Sequence, residues 1–263
     1  MEHGSVIVAD ENPVKAEILA YLQDDATRLG DVFRMRQASL TPAQMAEEIG
    51  VPTVGFAYSY GQQLDALIDA ALPRRSAHVA RQTAGRVRTL LKSQAWSSAT
   101  RDYLLDLETQ LESIANDDAT RDREENEALE RTDSVESRGT PGIYVYSLPH
   151  YLRYPFDAER GHTLFKVGRS DVDVFGRVGD QRRTTALPED PLLLRVYQTD
   201  PGQSTEIERY FHTFLEDADH ARSRASRGGR EWFLTTTKFL DRLAKEKGLQ
   251  IEVVNEELDP STD

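Results

Sequence analysis

Between Asn116 and Ser137 the chain reads NDDATRDREENEALERTDSVES, with Leu129 and Val135 as its sizeable apolar side chains. A run this charged cannot bury enough apolar surface to offset its ordering entropy. It therefore separates two folding regions, and residues 116–138 are expected to be an acidic linker, either mobile or a solvated helix. The total of 263 residues suits two domains of roughly 100–200 residues each. The formal charge of −13 is unevenly spread: residues 1–115 hold −4, 116–136 hold −6, 139–250 hold +1, and 251–263 carry five acids and no base. The last stretch is expected to be an acidic tail. A near-neutral, arginine-rich region between two acidic segments stays compatible with nucleic-acid binding.

The chain has no cysteine, which removes disulfides, thiolate metal sites and cysteine nucleophiles. No apolar run approaches the ~20 residues that cross a bilayer. Met1-Glu2-His3-Gly4-Ser5 shows neither the basic nor the apolar part of a secretory signal. The expectation is a cytoplasmic protein without a membrane partner.

Residues 1–115 read as helical. Val14, Ile18, Leu19 and Leu22 recur at helical spacing, as do Val79, Val87, Leu90 and Leu91. Ser98 could cap a last helix striped by Leu104, Leu107, Leu111 and Ile114. That stripe packs on its own domain or forms a homodimer seam; two heptads favour the former. Within residues 41–60, Thr41 suits an N-cap with Pro42 at the first helical position. Gly50 supplies a tight turn, and a second helix is expected from about Pro52 or Thr53. This pattern resembles a helix-turn-helix, with Thr53, Tyr58 and Tyr60 as candidate DNA contacts, or a plain helical hairpin.

From Gly142 the apolar period switches to two. Residues 142–147, 163–168 and 192–198 read as strands, and 171–185 has helical character. Residues 205–217 form a strongly amphipathic pattern through Ile207, Tyr210, Phe211, Phe214 and Leu215, and a last helix is expected over 236–245. The order is that of an α+β domain over residues 139–250, behind an all-helical one.

Gly142-Ile143-Tyr144, then Lys166-Val167-Gly168, Arg177, Glu208 with His212 one turn on, and Glu231-Trp232-Phe233 together resemble the GIY-YIG endonuclease superfamily. The likeness is to a divergent, phage-associated branch that writes lysine where the first tyrosine of YIG stands. It covers about residues 139–246. It implies a three-stranded antiparallel sheet flanked by helices and a DNA endonuclease dependent on Mg2+ or Mn2+. It also implies a site built from Tyr144, Lys166, Arg177, Glu208 and His212.

Each of these residues suits phosphodiester hydrolysis, which needs an activated water and stabilised phosphoryl charge. Tyr144, with a lowered pKa, would assist water deprotonation, while Tyr146 reads as a structural neighbour. Lys166 would lower that pKa or bind phosphate, unless it is an exposed strand lysine. Arg177 offers a fork for phosphate oxygens. Glu208 is the candidate metal ligand, with Glu206 as fallback; a lone carboxylate suits magnesium or manganese better than zinc. His212 could touch phosphate, orient Glu208 or simply pack. Trp232 and Phe233 read as core rather than base-stacking platforms.

Arg182, Arg183, Arg222, Arg224, Arg227 and Arg230 are candidate nucleic-acid contacts, the last four in a flexible segment suited to tracking phosphates of DNA, with RNA left open. No P-loop, G-x-S-x-G elbow or H-E-x-x-H occurs. The rival reading is a non-catalytic helix-turn-helix regulator with a degenerate nuclease-like domain.

Overall fold

A computed structural model describes residues 12–51, 53–157, 160–170, 189–220 and 231–260. Among them are ten α-helices and five β-strands, in two units, Met1–Arg121 and Asp122–Asp263. The chain is α+β, and all the described strands lie in the second unit.

The first unit contains α1 (Pro13–Asp24), α2 (Arg28–Gln37), α3 (Pro42–Ile49), α4 (Gly55–Asp69), α5 (Ala77–Ser93) and α6 (Ser98–Ala115). Leu22, Leu29, Val32, Leu64, Leu67, Val87, Leu104, Leu107 and Leu111 are buried together in one core. The Leu104–Leu107–Leu111 stripe is thus spent inside this unit and supplies no seam for a second copy. The N-cap of α6 is Ser97, one residue before the expected Ser98; its Oγ accepts from the Thr100 amide at 3.3 Å.

Thr41 caps α3 in a reciprocal box with Gln44, satisfying two otherwise unpaired amides. Gly50 ends α3 at φ 75°, in the left-handed region that favours glycine. The partner helix α4 starts at Gly55, slightly later than the sequence suggests. Tyr58 is exposed on it, but Tyr60 is 1% exposed and belongs to the core, which removes it as a DNA contact.

The second unit takes in most of α7 (Asp118–Glu136). Here the expected solvated linker is corrected. Glu124, Ala128, Thr132, Val135 and Glu136, spaced at four, four, three and one, are buried. Ala128 and Thr132 are small enough to let the helix approach the sheet, and the Thr132 hydroxyl accepts from the Leu193 amide at 3.1 Å.

Next come β1 (Gly142–Ser147), α8 (Pro149–Arg153), β2 (Thr163–Ser170), β3 (Leu192–Gln198), α9 (Ser204–Asp217), β4 (Trp232–Thr235), α10 (Thr237–Glu246) and β5 (Gln250–Val253). The sheet is antiparallel, ordered β4-β2-β1-β3-β5. It has five strands rather than three because two short segments pair with the outer strands. One follows the arginine-bearing segment and the other begins the expected tail. The tail is corrected as well: after β5, Asn255 and Asp259 are buried. Asn255 Nδ2 donates to the Leu193 carbonyl at 2.8 Å, and Asp259 receives Arg195. The helical expectation for 171–185 lies outside the described residues.

Alternation divides the sheet into two faces. Ile143, Val145, Phe165 and Val167 pack with Ile207, Phe211 and Leu215 of α9 and Leu240 and Leu243 of α10. Tyr144, Tyr146, Leu193 and Val196 face the other way, packed with Val135 of α7. A bulge between Val145 and Tyr146 shifts the register against β3. Gly142 is set by close approach: a Cβ there would lie 2.5 Å from the Tyr197 carbonyl oxygen on β3.

Candidate functional site

The sheet distributes the described candidates over its two faces. Tyr144 stands opposite Gly168 and Tyr146 opposite Lys166, so Tyr144, Tyr146 and Lys166 share the face beneath α7. Glu208 and His212 lie on α9, which packs on the other face. Arg177, Arg182, Arg183, Arg222, Arg224, Arg227 and Arg230 lie outside the described residues.

Tyr144 is 2% exposed, and its hydroxyl donates to the Thr140 carbonyl. Its ring lies nearly parallel to that of Tyr146, 6.3 Å between centroids, and the Tyr146 hydroxyl donates to Glu136 Oε1 at 2.9 Å. Burial pushes the Tyr144 pKa up to about 12, the Glu136 and Glu252 carboxylates push the same way, and Arg138 opposes them. This corrects the expected lowering: taking the phenolate out of water outweighs nearby positive charge. Lys166 Nζ is 3.4 Å from Glu231 Oε2.

The raised pKa has a consequence for stability. The unfolded chain ionises Tyr144 near pH 10 and the folded domain only near 12. The contribution is therefore full below about pH 10 and lost as pH rises through 12, about 2–3 kcal/mol in all. Denaturant titrations from pH 8 to 12 are expected to show a shallower alkaline decline in Tyr144→Phe than in the wild type. Equal slopes would mean that the phenol is solvated.

On the opposite face, Glu208 and His212 flank the buried stripe Ile207–Phe211–Leu215, one helical turn apart. Arg169 continues the Phe165–Val167 alternation of β2 toward α9, and its Nε donates to Glu208 Oε2 at 3.0 Å. Both side chains are partly exposed, 29% for Arg169 and 20% for Glu208. His212 Nε2 is 2.9 Å from the Val167 carbonyl oxygen, and its ring centroid is 4.9 Å from that of Phe233. A carbonyl can only accept, so Nε2 carries a proton and donates. In the neutral ring this leaves Nδ1 as the acceptor. Glu206 is exposed and apart from this arrangement.

Arg169 is the residue that sequence reasoning missed. The signal was a guanidinium continuing the inward alternation of Phe165 and Val167, opposite the helix bearing Glu208. The structure thus joins Arg169, Glu208 and His212 in one cluster, and Tyr144, Tyr146, Lys166 and Glu231 in another. The first can bind an anionic oxygen, offer a carboxylate to a cation and exchange a proton at the imidazole. In the second the two tyrosines are buried, while Lys166 and Glu231 are partly exposed.

Among the described residues no helix is long and apolar enough to cross a membrane. Neither the curated proteins nor the solved structures include a match to this chain. Residues 142–247, from the first residue of β1 to one residue beyond α10, match the family model of the T5orf172 domain, a phage-associated domain of endonuclease-like context.

Proposed function

We propose that the second unit hydrolyses phosphodiester bonds of DNA in a reaction dependent on Mg2+ or Mn2+, with its site on the α9 face. The observation that carries this reading is the Arg169–Glu208 pair with His212 one turn further on, inside the segment similar to T5orf172.

No three His, Asp or Glu side chains converge as a metal site among the described residues. Glu208 alone fits an ion that keeps several waters and completes its shell with phosphate oxygens, as magnesium does. Such an ion, when bound, would polarise the phosphoryl group and stabilise the leaving oxygen. The planar fork of Arg169 matches two phosphate oxygens, so it both orients Glu208 and meets substrate. His212, anchored through Nε2, presents Nδ1 as the group that accepts a proton from water. Tyr144, protonated at neutral pH, is suited to donating a hydrogen bond rather than to acting as base.

The test is nicking and linearisation of supercoiled plasmid by the full chain with magnesium, manganese or chelator. Cutting that appears with the ions and stops with chelator supports the reading. Binding without cutting on supercoiled, single-stranded and branched DNA returns the protein to the regulator reading, for which α3, α4 and the exposed Tyr58 are the relevant surface.

The assignment of the base has its own expected result. His212→Ala should lower the cleavage rate by about 10²–10⁴-fold, the usual contribution of a positioned base. Tyr144→Phe should stay within about tenfold of wild type on the same reasoning. The reverse ranking would move the chemistry to the α7 face.

A further inference from the structure

Outside the apolar core, aromatic rings gather around α8 and the edge strand β4. Tyr154 lies 5.3 Å from His150, His150 5.8 Å from Tyr151, and Tyr151 6.2 Å from both Phe156 and Trp232, between ring centroids. Phe156 is 64% exposed and Tyr154 51%. Single exposed apolar residues are ordinary, but a contiguous run of rings is not, and it marks a binding surface. Nor is it spilled core, because Phe165 and Phe233 fill the inward positions of β2 and β4 and are fully buried. Trp232, expected to be core, is only half-buried.

The patch has a cation at its border. Lys166 pairs with Trp232 across β2 and β4, so the two side chains leave the same face of the sheet. Its ion pair with Glu231 spans 3.4 Å, with the side chains 23% and 41% exposed. Solvent-accessible pairs of this sort are weak, and an incoming phosphate can exchange with the carboxylate.

Planar rings bordered by a cation are what an unstacked polynucleotide requires. Every base has a π-face to lay on a ring, and each linking phosphate carries a charge to be met. A duplex offers the charged phosphates but not the faces, since its bases are stacked on each other. We propose that His150, Tyr151, Tyr154, Phe156 and Trp232 form a platform for the unpaired bases of a single-stranded nucleic acid, with Lys166 meeting its phosphate. This names the form of the substrate and rests on the phosphodiesterase reading for its class.

The experiment uses the full chain with chelator present, so that binding is read without cutting. Fluorescence anisotropy follows a short labelled oligothymidylate and, separately, a mixed-sequence duplex of the same length. Phe156→Ala and Tyr154→Ala should each weaken single-strand binding by about 5- to 100-fold, the range of one lost stacking contact. Duplex binding should stay within about twofold by the same logic. Phe156→Tyr should retain binding because any ring can stack, and Glu231→Gln should strengthen it at low salt. Circular dichroism of each variant checks folding.

Unchanged oligothymidylate affinity in the folded Phe156→Ala, Tyr154→Ala double variant would overturn the platform. So would a wild type that binds duplex alone, or neither form. A change from dimer to monomer in light scattering, with single-strand affinity unchanged, would assign the rings to a second copy of the chain instead. The two readings fail separately. Oligothymidylate binding that depends on the rings, in a protein that never cuts, keeps the platform and removes the nuclease. Metal-dependent cutting with ring-independent binding does the opposite.

Discussion

Glu208→Ala is expected to abolish metal-dependent cleavage, by about 10³-fold or more, while the second unit stays folded. Glu208 sits beside, not within, the buried stripe of α9, and its partner Arg169 is partly exposed. Breaking such a pair costs about 0–1 kcal/mol, too little to unfold a domain. The rate loss comes from removing the anionic oxygen that would hold the ion and keep Arg169 oriented. Glu208→Gln separates those two roles. The amide oxygen can still accept from Arg169, but the charge is gone, so a loss as large as that of alanine assigns the effect to the cation site. Arg169→Ala should be milder, about 10²-fold, as for one lost phosphate-stabilising group. Wild-type rates in both Glu208 variants would remove the α9 face from the chemistry.

The largest stability effect is expected at Asp259→Ala. Arg195 is buried on β3, with Asp259 Oδ2 at 2.8 Å and Asp241 Oδ2 at 3.3 Å from its nitrogens. Asp259, itself fully buried, also accepts from the Thr237 hydroxyl at 2.5 Å, and Tyr197 donates to Asp241 at 2.8 Å. Burial works against the Arg195 charge, but the two carboxylates keep it protonated. Deleting one partner of such a buried pair costs about 3–5 kcal/mol, since the remaining charge stays out of water and under-compensated. Denaturant unfolding followed at Trp232 should shift by that amount, whereas the transition of the first unit, followed at Trp96, should not move. Asp259→Asn should cost less because it keeps a hydrogen-bond acceptor. A shift under about 1 kcal/mol for alanine would mean that residues 255–259 are not docked.

Much of the fold was legible because it rests on periodicity and turn chemistry. The α3–Gly50–α4 hairpin, the strand at 192–198 and the helix at 204–217 are near their expected places. What was not legible shares one cause. Most of the inner face of α7 is Glu124, Ala128, Thr132 and Glu136, which do not announce burial in a hydropathy pattern as their neighbour Val135 does. Residues 251–259 read as solvated acid because the partners of Asn255 and Asp259, namely Arg131, Thr132 and Arg195, lie far away in sequence. Polar docking depends on tertiary pairing, which local composition cannot display.

The candidate site was legible as a set of residue types, but not as an arrangement. Glu208 and His212 were visible as a helical pair, and Tyr144 and Lys166 as residues of adjacent strands. Which face each would occupy follows from the register of β1, β2 and β4 and from the side on which α9 packs. Arg169 is not set apart in the sequence from any other charged residue at a strand end.

Gly142 opens the Gly142-Ile143-Tyr144 tripeptide, and its task is to let β1 and β3 come close. Ile143 beside it fills the core, and Tyr144 is tucked under a helix. A signature keyed to these three letters therefore detects the spacing of a sheet before it detects any chemistry. A chain can keep these three residues for the packing of its sheet alone, whether or not it cuts nucleic acid.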